Sequence, residues 1–152
     1  MSILLKEEDY KSLIENSPIF DVDLVVKVEN KILLLKRIEE PMKGEWCVPG
    51  GRVLKNEKIE EAVQRKALQE IGVKVKIIKN LGTFETFFDK SKFPGIKTGT
   101  HTINIAFLVE PVKNNFKLDK THSEYKWAES IDFPIHNYIS EILKKAGFPF
   151  HY

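Results

Sequence analysis

With 152 residues, the chain has the length of one domain, which at this size buries about 70% of its unfolded surface and folds without disulfides or a structural metal; it is read as a single domain over residues 1–152. Its 24 basic and 22 acidic side chains leave a formal net charge of +2, which excludes a nucleic-acid-binding face on charge totals and leaves small anionic ligands open. A single cysteine, Cys47, excludes an internal disulfide. The start MSILLKEEDYK lacks the apolar core of a signal peptide and no later apolar run nears the ~20 residues that span a bilayer, so the expectation is a cytoplasmic protein without a membrane partner.

In chain order, Leu5, Tyr10, Leu13 and Ile14 outline a short amphipathic helix that ends near Asn16-Ser17-Pro18. Phe20, Val22, Leu24, Val26 and Val28 then alternate with Asp21, Asp23, Val25 and Lys27, the period of a strand with one apolar face. That period puts Asp23 on the polar side. Glu29-Asn30 turns into a second apolar strand, Ile32 to Leu35, for a hairpin. Cys47 falls in a short apolar strand, where it reads as a buried structural thiol.

Asn56 precedes Ile59, Ala62, Val63, Ala67 and Ile71, apolar at helical spacing, so a helix is expected from about Glu57 to Ile71, capped by Asn56 and stopped by Gly72. Before it, Pro49-Gly50-Gly51 makes a turn whose glycines let the backbone approach a ligand closely. Further strands are expected at Val73 to Ile78, Leu81 to Phe88, Thr102 to Val109 and Tyr125 to Ala128. Asp89 to Thr100, rich in Gly, Pro and Lys, reads as a mobile loop. Tyr138, Ile139, Ile142 and Leu143 give a last helix that stops at Gly147, and the whole order predicts an α/β (α+β) sandwich.

The stretch from Trp46 to Val73 resembles the Nudix hydrolase signature, G-x5-E-x7-R-E-U-x-E-E-x-G-U with U a bulky aliphatic residue. Gly51, Glu57, Arg65, Glu70, Gly72 and Val73 fall in register, while Lys66 and Gln69 stand where two glutamates belong. The fold this resemblance implies is an α/β/α sandwich with a mixed central sheet. Nudix enzymes gather glutamates on that helix face to hold Mg²⁺ beside a pyrophosphate; a lysine there supplies positive charge in place of a metal, which points to fewer ions.

Losses of this kind are tolerated by one Nudix branch, the GDP-mannose mannosyl hydrolases, which the chain resembles from Leu4 to about Trp127. The pieces that carry the likeness are the leader LLKEEDY, Ser17-Pro18 with Asp21 to Val26, Leu33 to Arg37, Trp46 to Val53, and Leu118 to Trp127. The resemblance implies Mg²⁺, with Mn²⁺ able to substitute, held by Glu70 and the backbone carbonyl of Gly50. It makes His122, in a loop between strands, the catalytic base, and an imidazole of ordinary pKa near 6.5 can take a proton from water. Arg37 and Arg52 match the arginines that grip and neutralise the departing diphosphate, a task suited to planar, always-charged guanidinium groups.

Asp23 matches an acid of the family's site, and a simple solvent-facing carboxylate is an equal reading. At the family's third metal-ligand position stands Thr121, a poorer ligand, for which water, Asp119 or Glu124 are substitutes. Thr86 and Thr102 replace a histidine and a tyrosine near the sugar and diphosphate. Arg65 reads as structural, paired with Glu57, and Phe84, Phe87 and Phe88 read as core in preference to a purine stack. The resemblance also implies a homodimer with the N-terminal leader at the contact.

The leading expectation is therefore Mg²⁺-dependent hydrolysis of a GDP-sugar at the anomeric carbon, releasing GDP and an inverted hexose. A second reading is conventional P–O cleavage of an NDP-sugar or modified nucleotide, with metals on Glu57, Glu61 and Glu70. A third is a Nudix-fold nucleotide-binding module that has lost catalysis, as Lys66, Gln69 and Thr121 would allow.

Overall fold

A computed structural model describes residues 3–118 and 122–150. Strand β1 (Ile19–Val28) is the spine of a seven-stranded sheet. It runs parallel to β6 (Thr100–Pro111) along most of its length. On its other edge it pairs antiparallel first with β4 (Gly50–Arg52) and then, at Lys27 and Val28 only, with β2 (Lys31–Arg37). Beyond β2 lie β3 (Trp46–Cys47) and β7 (His122–Ala128), and beyond β6 lies β5 (Val75–Phe88), so the sheet is mixed.

Val22, Leu24, Val25 and Val26 are all fully buried, which is how a strand reads when both its faces are covered. The single apolar face expected for β1 is thus too simple: Val25 joins the core, while Phe20 is 43% exposed. Helix α2 (Ile59–Ile71) rests on β1 and β4 through Ala62, Val63, Ala67 and Ile71, and α3 (Asn137–Lys145) packs on β5 through Ile139, Ile142 and Leu143. The short α1 (Glu7–Asn16) buries Ile14 with Ile19 and Ile96, flanked by Tyr10, Leu13 and Phe93. The segment expected as a mobile loop is therefore tied down by Ile96 and by the edge-to-face contact of Phe93 on Tyr10, and its last residue, Thr100, opens β6.

Three boundaries differ from expectation for local reasons. Helix α2 begins at Ile59, because Asn56 takes a left-handed conformation (φ 67°) within a turn and the helix entry is closed by Glu61, whose carboxylate accepts from the Lys58 N–H at 2.9 Å. The two strands expected from Val73 to Phe88 are one, since register shifts near Ile77 and Asn80 absorb the break and the Asn80 side chain accepts from the Gly82 N–H. Strand β7 begins at His122, three residues early.

Glu57, left outside the helix, fastens it to the loop below. Its carboxylate accepts from the Leu54 N–H at 3.0 Å and from Arg65 Nε and Nη2 at 2.7 and 3.0 Å. Arg65 Nη2 also donates to the Arg52 carbonyl at 2.8 Å. Helix, turn and β4 thus share one two-pronged ion pair.

Glu57 is buried to 4% side-chain exposure and Arg65 to 26%, so Glu57→Gln is expected to cost on the order of 2 kcal/mol, less than the full burial case. The Arg65 hydrogen bond, ahead of other causes, holds the Glu57 pKa below the usual carboxylate value. A depressed carboxylate pKa stabilises above the unfolded-state pKa and loses its effect as pH falls through the folded one. Urea midpoints of wild type and Glu57→Gln should therefore separate at neutral pH and converge in acid; equal midpoints at pH 7 would contradict the clamp.

Candidate active site

The side chains of β1 that point away from the main core, Ile19, Asp21 and Asp23, face a cavity of about 160 Å³. Around it stand Arg37 from the end of β2, Gly50 and Arg52 from β4, Glu70 from the last turn of α2, and His122 at the start of β7. All the expected site residues thus share one cavity except Thr121, which lies outside the described residues, as does Asp119. Helical and strand periods each bring their own residue to the rim, and only the long-range pairings bring them together.

Gly50 is the hinge of this arrangement. In the antiparallel pairing, the Leu24 N–H donates to the Pro49 carbonyl and the Val53 N–H to the Phe20 carbonyl. By the alternation of such ladders, Gly50 falls at a non-hydrogen-bonded pair with Asp23 and turns its polar groups away from β1. Its N–H donates instead to Glu70 Oε1 at 2.8 Å, and its carbonyl shares that edge of the strand. A side chain at Gly50 would collide with the Val22 carbonyl. At Gly51, where φ is 154°, a Cβ would meet the Lys66 side chain at 2.5 Å. The missing side chain at Gly50 thus makes room for β1, and that at Gly51 for the Lys66 side chain of helix α2.

Glu70 is 4% exposed and stands between two cationic or potentially cationic groups: Lys66 Nζ lies 3.9 Å from Oε1 and His122 Nε2 lies 3.7 Å from Oε2. A shift of register in the β2–β7 pairing sets His122 opposite Arg37. His122 is thus held in a strand, where a loop was expected, and is 8% exposed. Arg37 is steadied by its Nε–H donating to the Pro41 carbonyl at 2.7 Å, and the Arg52 guanidinium sits 5.1 Å from the Tyr10 ring centroid. Tyr10 has its phenol pKa raised, by burial first and Asp21 second.

Asp23 is no solvent-facing carboxylate. It is 4% exposed, and Asn104 Nδ2 donates to its Oδ2 at 2.8 Å. Burial, with the neighbouring Asp21 charge adding to it, pushes the Asp23 pKa up to about 8. Burial likewise lifts Asp21 to about 7 against the opposing pull of Lys66. Asp21, Thr102, Asn104 and Tyr138 also line the cavity, and of these sequence reasoning assigned only Thr102 to the site. Period-two spacing could have found two of them, since Asp21 lies two residues before Asp23 on one strand and Asn104 two after Thr102 on another. Burial raises the Tyr138 phenol well above its usual value and does the same to the Cys47 thiol, which is buried and donates to the Leu35 carbonyl.

The remaining acids and aromatics of the expectation divide clearly. Glu57 is spent on Arg65 and Glu61 on the helix entry, so neither faces the cavity. Phe88 lines it; Phe84 packs on the core; Phe87 is 71% exposed and stacks on His101 at 4.3 Å. Among the described residues, no group of three or more His, Cys, Asp and Glu side chains converges to hold an ion by itself. A hard cation would therefore rest on Glu70, the Gly50 carbonyl, water and substrate oxygens. That donor set suits Mg²⁺, which keeps several waters and few protein ligands.

The profile of the NUDIX domain matches residues 19–145. The chain is 39% identical over 139 residues to the low-salt glycan biosynthesis protein Agl8 of Haloferax volcanii, covering 91% of this chain and 88% of that one. It is 30% identical over 132 residues to an ADP-ribose pyrophosphatase of Methanocaldococcus jannaschii, covering 86% and 74%. In structure it is similar to a MutT NUDIX hydrolase from Burkholderia pseudomallei, with a TM-score of 0.71 at 21% identity over 86% of this chain and 98% of that one.

The raised carboxylates give a pH dependence of stability. Asp21 and Asp23 keep protons in the folded state, up to about 7 and 8, that the unfolded chain loses near 4. Stability of the metal-free protein should then fall as pH rises across that window, because the unfolded state binds fewer protons there. Asp23→Asn removes one of the two titrations. Its urea midpoint should decline less steeply between pH 5 and 9 than that of wild type, and an unchanged slope would contradict the assignment.

Proposed function

This chain belongs to the NUDIX domain family, and from that premise we propose that it hydrolyses a nucleotide sugar, GDP-mannose foremost, at the anomeric carbon, yielding GDP and the free hexose with inversion. The observation that carries this reading is that a single acid of the box helix, Glu70, reaches the cavity, with Lys66 and His122 as its neighbours. A hydrolase that attacks phosphorus needs several box acids to hold the ions that generate its nucleophile. A hydrolase that attacks carbon needs positive charge beside its leaving group and a base for its water, roles that Arg37, Arg52 and His122, all lining this cavity, can fill.

Arg37 and Arg52, each held in place by Pro41 or Tyr10, grip the diphosphate and offset the charge that grows as it departs. Lys66 adds a fixed positive charge at the same end. When bound, Mg²⁺ or Mn²⁺ on Glu70 and the Gly50 carbonyl supplies further charge neutralisation of the diphosphate. His122 takes a proton from a water as its oxygen forms the bond to the anomeric carbon, while the electron pair of the breaking C–O bond goes to the diphosphate. The Glu70 carboxylate beside His122 stabilises the imidazolium that results.

The ADP-ribose pyrophosphatase relative favours a second reading, cleavage between the phosphorus atoms to give a nucleoside monophosphate and a sugar phosphate. Products separate the two. With a panel of NDP-sugars and Mg²⁺, GDP and free hexose are expected, with the β-anomer of mannose seen first by proton NMR; GMP with mannose 1-phosphate would favour the second reading, and tight binding without turnover a module that has lost catalysis.

Two substitutions probe the assigned roles. His122→Gln is expected to lower kcat by about 10²–10⁴-fold, the scale of a lost general base, with KM little changed; a wild-type rate would make His122 a bystander. Glu70→Gln should cut Mg²⁺-dependent turnover much more than it lowers the melting temperature, and wild-type metal-dependent rates would refute its role as a ligand.

A further inference from the structure

Behind Asp23 runs a chain of buried polar groups that the reaction as described does not use. Asn104 Nδ2 donates to Asp23 Oδ2 at 2.8 Å, Thr102 Oγ1 donates to Asn104 Oδ1 at 2.6 Å, and the Thr86 and Thr102 hydroxyls share a further hydrogen bond. The four residues are between 2% and 6% exposed. They lie on three adjacent strands: Thr86 faces Thr102 across β5–β6, Asn104 follows two residues on, and Asp23 stands beside them across β1–β6.

The hydrogen bonds run in one sense. The Asn104 amide nitrogen donates to Asp23 Oδ2 and its oxygen accepts from Thr102; Thr102 spends its one proton on that oxygen, so Thr86 is the donor to Thr102. Buried polar groups interleaved with Ile103, Ile105 and Ala106 carry a desolvation cost that apolar side chains would avoid. The end that meets the cavity is the Asp23 carboxyl. Its Oδ2 is taken by Asn104, and its Oδ1 lies where a Cβ on Gly50 would approach to 2.8 Å.

Arg37 and Arg52 bring cationic groups to the cavity, and Asp23, Asn104 and Thr102 bring buried groups that carry no positive charge. The guanidinium groups suit phosphate, while a carboxyl and an amide suit hydroxyls, which both donate and accept. Resting on the proposed nucleotide-sugar hydrolysis, we infer that Asn104, keyed by Thr102 and Thr86, is the positioning residue for sugar selectivity: it fixes the Asp23 carboxyl so that Oδ1 shares a hydrogen bond with a hydroxyl of the hexose. Asp23 touches the sugar, and Asn104 acts through it.

The test compares Thr102→Val, which keeps the shape and deletes the hydroxyl, with Thr102→Ser, which keeps the hydroxyl. Two quantities are read for each full-length variant: kcat/KM on GDP-mannose and the inhibition constant of GDP, which has no sugar. Thr102→Val should lower kcat/KM by about 10- to 100-fold, as when a site built for a hydroxyl loses its partner, and leave the GDP constant within about twofold; Thr102→Ser should recover most of the loss. Thr86→Val, one link further from the cavity, should show a smaller loss of the same kind and serves if Thr102→Val does not fold. GDP inhibition weakening in step with kcat/KM, or valine and serine variants behaving alike, would overturn the inference while the proposed reaction stands. A wild-type protein that turns over no GDP-sugar would overturn both.

Discussion

Everything in the site depends on how closely helix α2 approaches the backbone at Gly50 and Gly51. The Glu70 carboxylate accepts from the Gly50 N–H, and the Lys66 stem lies where any side chain on Gly51 would be. One helix face thereby delivers the Glu70 carboxylate to the cavity with the Lys66 ammonium one turn away, 3.9 Å from it. The approach is secured from outside by Arg65, which joins Glu57 to the Arg52 carbonyl, and Gln64 adds a second tie by exchanging hydrogen bonds with both backbone groups of Val75. A side chain at Gly50 would push β4 off β1 at Val22 and Asp23, and one at Gly51 would displace the end of the Lys66 side chain.

The sheet places the opposite wall. β4 pairs with β1 at Asp21 and Asp23, β6 runs along the other edge, and the two carboxyl side chains line the cavity between them. Carboxylates so buried hold their protons into the neutral range, while three basic residues, Arg37, Arg52 and Lys66, flank them. The cavity therefore combines fixed positive charge with carboxyl groups that are neutral over much of the physiological range.

Much of this was legible in the order of residues, and the parts that were not share a cause. The box helix, its glycine turn and Glu70 could be read because motif spacing encodes them locally, whereas Arg37, Arg52 and His122 were implied by the family resemblance and meet Glu70 only through long-range pairing. The helix start was misjudged at Asn56 because its preference for caps and its tolerance of positive φ are both turn properties, and here the second won. His122 read as a loop residue because nothing nearby announces that β7 pairs with β2 as far as Arg37. Asp21 and Asn104 were passed over since their importance arises only from strands far apart in sequence. Burial of Asp23 had the same origin: alternation set it on the polar face of β1, but only the fold decides whether that face meets water or a cavity.

We propose that carbon, not phosphorus, is the atom attacked, and the oxygen of the attacking water reports it directly. When GDP-mannose is hydrolysed in ¹⁸O-water, mass spectrometry should find the label in the released mannose and none in GDP. Label in a phosphate product, with GMP as the nucleotide, would contradict the claim.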